Sequence, residues 1–176
     1  MKKIIFTLVV SAGIVIMMGC NSQGNTPNGS DATTENKQEI NEERKRMDLY
    51  IAVMKKAFQE ENGGNKFVAV KLDKLVGLSD EAKREVLNEL TVLSSNVYSF
   101  EDVRNDKTKF EHDDSGKLIR SLGGALLWVE VEEYVNNKSI ITGVSWFGNL
   151  GAVFPKYEAT FKNGKWELKL ISMAIS

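Results

Sequence analysis

The chain has few of the residues from which most enzyme sites are built: it contains one cysteine, one histidine and two prolines. A Ser-His-Asp triad or a histidine-rich metal site would depend on His112 alone. The sequence has no G-x-S-x-G, H-E-x-x-H, Walker A or C-x-x-C motif. Because there is no second cysteine, no internal disulfide can form, and stability must come from core packing.

The chain also lacks an excess of charge of either sign. It has 23 Lys and Arg against 24 Asp and Glu, a formal net charge of −1 over 176 residues. A nucleic-acid-binding domain usually carries a basic field, so we expect no nucleic-acid partner. The length suits one folded domain.

The first 19 residues have the pattern of an export signal. Lys2 and Lys3 precede an uncharged, mostly apolar run over residues 4–19. This run is shorter than the roughly 20 apolar residues that a membrane-spanning helix needs. The pattern therefore predicts a signal peptide, with an uncleaved membrane anchor as the alternative.

The single cysteine follows this run directly, in the sequence MMGC at residues 17–20. This stretch resembles the lipobox of bacterial lipoproteins, with Met17 standing where the family usually has leucine. The resemblance implies cleavage before Cys20, a diacylglyceryl group on its sulfur, and a location on the extracytoplasmic face of the cell membrane. Two acyl chains are what stable anchoring requires, since a single chain holds only marginally.

The composition divides the rest of the chain into a tether and a domain. Residues 21–38 contain one alanine as their only apolar side chain, so we expect residues 20–38 to form a flexible tether. Residues 39–176 should form a single domain. It would contain a helix with an apolar stripe over 40–58, a strand at 66–72, a helix capped by Ser79, a strand at 96–100, a turn at 112–116, and hairpins over 125–147 and 150–175.

Turn sequences set the register of the two predicted hairpins. Asn163-Gly164 favours a two-residue type I′ turn, which pairs Phe161 with Trp166 and Tyr157 with Leu170. A turn at Asn136-Asn137 pairs Val129 with Val144, although it also sets Glu133 against Ile140, which favours a longer loop. Beyond Leu170 both faces of the last strand read as apolar, so we expect that strand to be central or covered on both sides.

This order of elements predicts an α+β fold, with two helices packed on a curved antiparallel sheet of about five to six strands. The order is similar to that of the NTF2-like or cystatin-like roll. The resemblance implies a sheet that wraps its helices and can leave a pocket at its mouth. Nothing in the sequence indicates a cofactor or a metal.

The candidate binding residues lie in the segment SWFGNLGAVFPKY, residues 145–157. Trp146, Phe147, Asn149 and Tyr157 combine aromatic bulk with neighbouring glycines, which mark bends or close approaches in strands. Exposed aromatic side chains beside a polar one are typical binding anchors. The alternative is a bent corner in which these aromatic side chains are packed.

Two other groups invite a catalytic interpretation. His112 lies in the sequence EHDDSG, which favours a hydrated turn over a cation site. Glu130 and Glu132 project from one face of a strand, as a glycosidase pair would, but a solvated strand face explains them as well.

Together these features predict a membrane-anchored extracytoplasmic lipoprotein that binds a small ligand or a protein without catalysis. Its partners would be the membrane lipid, through acylated Cys20, and an envelope protein or small ligand. The alternatives are an accessory lipoprotein of a transport or envelope system and a small hydrolase.

Overall fold

The computed structural model describes the backbone of residues 31–176 and the side chains of residues 41–176. Within this part of the chain, helices pack on a curved sheet. The helices are α1 (Asp31–Glu60), α2 (Asp80–Glu89) and α3 (Phe100–Val103). The strands are β1 (Val68–Val70), β2 (Val97–Ser99), β3 (Phe110–His112), β4 (Leu118–Ser121), β5 (Ala125–Val135), β6 (Lys138–Gly148), β7 (Gly151–Lys162) and β8 (Lys165–Ile175).

The sheet runs in the order β2-β1-β5-β6-β7-β8, and the β3–β4 hairpin joins it where Arg120 of β4 pairs with Gly148 of β6. The predicted α+β class is confirmed. The sheet is mixed, not wholly antiparallel, because β1 is parallel to both β2 and β5. A parallel pairing needs a long crossover, and α2 lies in the connection between β1 and β2.

Helix α1 buries the apolar stripe that its spacing predicted. Met47, Tyr50, Met54 and Ala57 are buried against strands β5, β6 and β7. The helix begins at Asp31, so it includes residues 31–38, which the composition assigned to the tether. Once packed turns have nucleated a helix, it extends at little cost through polar residues.

Lys45 is the one buried residue of the charged run over residues 42–46 of α1. Its Nζ donates hydrogen bonds to Glu42 at 2.7 Å and to Asn137 at 2.9 Å. Its backbone carbonyl accepts a hydrogen bond from Trp166 Nε1 at 2.7 Å. These contacts hold the middle of α1 against the β5–β6 and β7–β8 turns.

Both faces of the sheet carry a core. The larger core lies between α1, α2 and the face that carries Leu127 and Ile141. On the other face, a second core gathers Phe67, Phe110 and Leu126 under α3 and the β3–β4 hairpin. This second core covers only one part of its face, and Glu130, Lys156 and Glu158 lie on the part that it leaves uncovered.

The register predicted for the β5–β6 hairpin is correct next to the turn and wrong by one residue beyond it. Its turn has two residues, as the Asn136-Asn137 pair suggests, and Glu133 lies opposite Ile140. A bulge at Glu132 then shifts the pairing, so Val129 faces Gly143 and not Val144. The longer loop considered from the sequence is therefore wrong. The bulge allows Tyr134 to face α1, where the Arg46 guanidinium lies 4.1 Å from its ring centre.

The β7–β8 hairpin confirms its predicted register near the turn, including Phe161 with Trp166 and Tyr157 with Leu170. Asn163 and Gly164 have φ values of 52° and 77°, as a type I′ turn requires. The expectation that the last strand is central or doubly covered is wrong. β8 pairs only with β7 within the described residues, and its apolar residues beyond Lys169 are largely exposed.

Candidate functional site

Trp146 and Phe147 lie where β6 bends, next to a bulge that shifts its pairing with β7. The Trp146 side chain packs partly buried against the second core, together with Leu118 and Trp128. Trp146 therefore belongs to the sheet face opposite α1. Its ring packs at the margin of this hydrophobic cluster, and it does not line an open pocket.

Phe147 is wedged between two glycines. A Cβ placed on Gly63 would come within 2.6 Å of Phe147 Cβ, and one on Gly151 within 2.5 Å of its ring. Both positions thus need the absence of a side chain so that Phe147 can pack between them. The glycines around this corner serve close packing, which is the structural alternative stated from the sequence.

Asn149 and Leu150 form the turn between β6 and β7. Both are exposed, and Leu150 is 94% exposed. The Asn149 backbone N–H donates a hydrogen bond to the Ile119 carbonyl at 2.9 Å, which fastens the turn to β4. Of the four candidate binding residues, Asn149 alone is exposed.

Tyr157 lies in the larger core and is 3% exposed. Its hydroxyl has no hydrogen-bond partner among the described residues. Burial, with a smaller contribution from Glu60, raises the pKa of Tyr157 to about 12. Tyr157 therefore contacts α1 from the sheet face opposite Trp146, and the structure does not bring the four candidates together around one cavity.

Replacing Tyr157 with phenylalanine is expected to leave stability at pH 8 unchanged or slightly higher, because the hydroxyl is buried without a partner. The folded-state pKa lies above the unfolded value of about 10. The wild-type chain should therefore lose stability as the pH rises from about 10 through the folded value of about 12. The Tyr157→Phe chain should lose less, measured by urea unfolding at pH 8 and pH 11. An equal loss in both chains would contradict this assignment.

The residues considered for catalysis are held by their neighbours. Glu130 accepts a hydrogen bond from Trp128 Nε1 at 3.0 Å, and Glu132 forms an ion pair with Lys156 at 2.6 Å. These two carboxylates line the polar part of the sheet face opposite α1. Neither contributes to the largest cavity described.

That cavity, of about 570 Å³, lies beside the β3–β4 hairpin and includes His112 in its lining. The predicted turn is confirmed there, because Asp113 accepts hydrogen bonds from the Ser115 hydroxyl at 2.6 Å and from the Lys117 backbone at 2.9 Å. These hydrogen bonds, the Ser115 hydroxyl foremost, lower the pKa of Asp113. Among residues 41–176, no three His, Cys, Asp or Glu side chains are grouped to hold a metal ion.

The most unusual surface is one that the sequence did not single out as a site. Leu170, Ile171, Met173 and Ile175, which we call the β8 margin, are 45%, 47%, 38% and 69% exposed. They line a strand whose second edge has no partner in the part of the chain that the structure describes. The sequence signal for this surface is an apolar alternation that slips by one position: it runs through Trp166, Leu168 and Leu170, and resumes three positions later at Met173 and Ile175.

Cys20 and the predicted signal peptide lie outside the described residues. No helix in the described part combines the length and apolar composition needed to cross a bilayer. No protein-family model, no curated protein and no solved structure matches this chain.

Proposed function

We propose that this protein is a lipid-anchored, extracytoplasmic module that binds a protein partner through the β8 margin. The margin is exposed and apolar, and it has no partner strand among the described residues; this observation carries the proposal for binding. The sequence MMGC, behind a basic start and a short apolar run, carries the proposal for anchoring.

The anchor follows from the chemistry of Cys20. Each buried methylene of an acyl chain contributes about 0.8 kcal/mol to membrane attachment, and two chains are needed for a stable hold. A diacylglyceryl group supplies both. This role also accounts for a chain that uses a single cysteine and places it beside the apolar run.

The binding surface follows from the exposure of β8. A strand edge presents free backbone N–H and C=O groups, and proteins usually protect such an edge with charge, proline or a covering element. From Leu170 to Ile175 this strand has no charge and no proline. Strand addition by a partner would pair the backbone groups and cover the apolar side chains at the same time.

A protein partner is favoured over a small ligand because the predicted pocket is filled. Tyr157 is enclosed in one core, Trp146 packs against the other, and Phe147 fills the space between Gly63 and Gly151. A partner in a transport or envelope system fits this proposal. A hydrolase is less well supported, because Glu130 and Glu132 are engaged by neighbours and lie away from the His112 cavity.

Site-specific photo-crosslinking in intact cells tests the binding surface. A photoreactive residue at Met173 should give a discrete crosslinked product. The same residue at Val92, which is more exposed than Met173 but lies on the α2 side of the domain, should give none. A margin that yields no product, or yields the same products as Val92, would contradict the proposal.

A further inference from the structure

Strand β8 has a bulge close to its midpoint. Tyr157 pairs with Leu170 and Lys156 with Ser172, so Ile171 is an extra residue on β8. The strand runs from Lys165 to Ile175, and Ser176 still bonds to Ala152. The bulge therefore divides β8 into two halves of nearly equal length.

The bulge changes which backbone groups point to the free edge. In the first half, Lys165 pairs with Lys162 across the two-residue turn, so the backbone groups of Lys165 and of every second residue after it bond to β7. The backbone N–H and C=O groups of Trp166 and Leu168 therefore point to the free edge. In the second half, Ser176 exchanges hydrogen bonds of 3.0 and 3.3 Å with Ala152. The backbone groups of Met173 and Ile175 therefore point to the free edge. The residues whose backbone groups face this edge thus have even numbers before the bulge and odd numbers after it.

The bulge also keeps the apolar side chains on one face. Paired residues of an antiparallel ladder share a face, and the partners of the apolar β8 residues on β7 all lie on the α1 side. These pairs are Trp166 with Phe161, Leu168 with Ala159, Leu170 with Tyr157, Met173 with Pro155 and Ile175 with Val153. The charged residues of β8 and Ser172 take the opposite face. The last strand is thus amphipathic with a one-residue slip, and not apolar on both faces.

These two changes make β8 complementary to itself. If a second β8 lies antiparallel, with the bulges facing each other, the strands match along their full length. Trp166 then lies opposite Ile175 of the second copy, and Leu168 opposite its Met173, with outward-pointing backbone groups on both sides of each pair. On the other face, Lys169 lies opposite Ser172. In this register no charged residue faces another of the same sign.

We propose that the partner of the β8 margin is a second copy of this chain, joined by two-fold pairing of β8 about its bulge. This inference rests on the proposed function, because it names the occupant of the same margin. This register pairs an even-numbered residue with an odd-numbered one. In a regular strand the backbone N–H and C=O groups of two such residues point to opposite edges, so they could not bond to each other. The bulge removes that mismatch and so selects an identical strand.

Other self-pairings of β8 cover less of it. Centring the pair on Leu168 matches residues 165–171 and leaves Met173 and Ile175 exposed. Centring it on Met173 matches residues 170–176 and leaves the first half of the strand open. Pairing about the bulge covers all four residues of the β8 margin in both copies, and apolar burial is the dominant gain in association.

Antiparallel pairing also sets where the anchors leave the dimer. Helix α1 runs in the same direction as β6, since Lys45 contacts Asn137 while Val53 lies against Gly143. Strands β6 and β8 are both antiparallel to β7, so α1 and β8 also run in the same direction. The two-fold axis therefore directs the α1 N-termini to opposite ends. Anchoring both copies in one membrane places β8 along the membrane plane.

Disulfide crosslinking of the full-length protein in membranes tests the register. The double variant Leu168→Cys/Met173→Cys should form a disulfide-linked dimer, because the paired Cα atoms would lie about 5.5 Å apart, within disulfide range. Each single variant should give none, since identical residues would be five positions apart along the strand, about 16 Å. The wild-type chain and Val135→Cys, an exposed cysteine away from β8, measure collisional background.

Each outcome of this experiment is decisive. Dimers from Leu168→Cys alone, or from Met173→Cys alone, would overturn the register in favour of a pair centred on that residue. No dimer from the double variant, together with a Met173 photo-crosslink to a different protein, would overturn the second copy as partner but leave the binding surface in place. The absence of any photo-crosslink at Met173 would contradict both the binding surface and the second copy as its partner.

Charge substitutions give a second readout that keeps the apolar contacts. Ser172→Lys would set a lysine opposite Lys169 of the second copy twice, and should weaken the dimer about ten-fold. Ser172→Glu is the opposite-charge counterpart and should strengthen the dimer about ten-fold, because a carboxylate then faces Lys169 of the second copy twice and Lys156 within its own sheet. Equal dimer affinities of Ser172→Lys and Ser172→Glu would overturn the pairing of Lys169 with Ser172.

Discussion

Replacing Cys20 with serine is expected to abolish lipid attachment and to release the protein from membranes washed with alkaline carbonate. A serine hydroxyl cannot form the thioether that holds the diacylglyceryl group. Without two acyl chains, only the apolar run over residues 4–19 remains, and it is shorter than a spanning helix needs. The effect should be close to complete.

Metabolic labelling with a fatty-acid analogue measures this directly. The wild-type chain should take up label and lose residues 1–19, whereas Cys20→Ser should take up none. Ser22→Ala is the matched control, since it changes a hydroxyl two residues away and leaves the sulfur in place. If Cys20→Ser fractionates with membranes as the wild-type chain does, lipid anchoring at this residue is wrong.

Local turn chemistry made part of the fold predictable. Asn163-Gly164 set the pairing of Phe161 with Trp166, because few dipeptides accept positive φ at both central positions of a two-residue turn. Ser79 caps α2 as predicted, accepting a hydrogen bond from the Ala82 backbone at 3.3 Å. Such features depend on residues close in sequence, which a pattern can display.

Bulges and long-range pairings were beyond the pattern. The bulge at Glu132 has no turn signature in the sequence, although it decides that Tyr134 faces Arg46 of α1. The parallel pairing of β1 with β5 joins segments more than fifty residues apart. Alternation of apolar residues predicts each strand but does not name its neighbours.

The candidate site illustrates the same limit. Trp146 and Tyr157 are close in sequence and were treated as one corner, but the register places them on opposite faces of the sheet. A one-residue difference in register decides the face of every side chain. In β8 the apolar residues occupy even positions up to Leu170 and odd positions from Ile171 onward. From the sequence, this pattern indicates a strand covered on both faces, whereas a single bulge at Ile171 explains it with one apolar face.

The tightest contact between helix and sheet gives the prediction with the largest effect on stability. Gly143 of β6 faces α1, and a Cβ there would come within 2.8 Å of Val53 Cγ1 and 2.9 Å of the Val53 carbonyl oxygen. The carbonyl belongs to the helix backbone, so the clash cannot be relieved by a rotamer change. Gly143→Ala should therefore push α1 away from β6 and lower the free energy of unfolding by about 2–3 kcal/mol, as overpacked cores do.

Gly148 on the same strand supplies the matched control. A Cβ there would lie 3.5 Å from its nearest atom, Arg120 Cβ, which is ordinary contact distance. Because alanine also restricts the unfolded chain, Gly148→Ala should be neutral or stabilise the protein by up to about 1 kcal/mol. Urea unfolding followed by tryptophan fluorescence compares the two variants. Equal stabilities would mean that α1 does not rest on the bare backbone of β6, and that the larger core tolerates a methyl group where the helix and sheet meet.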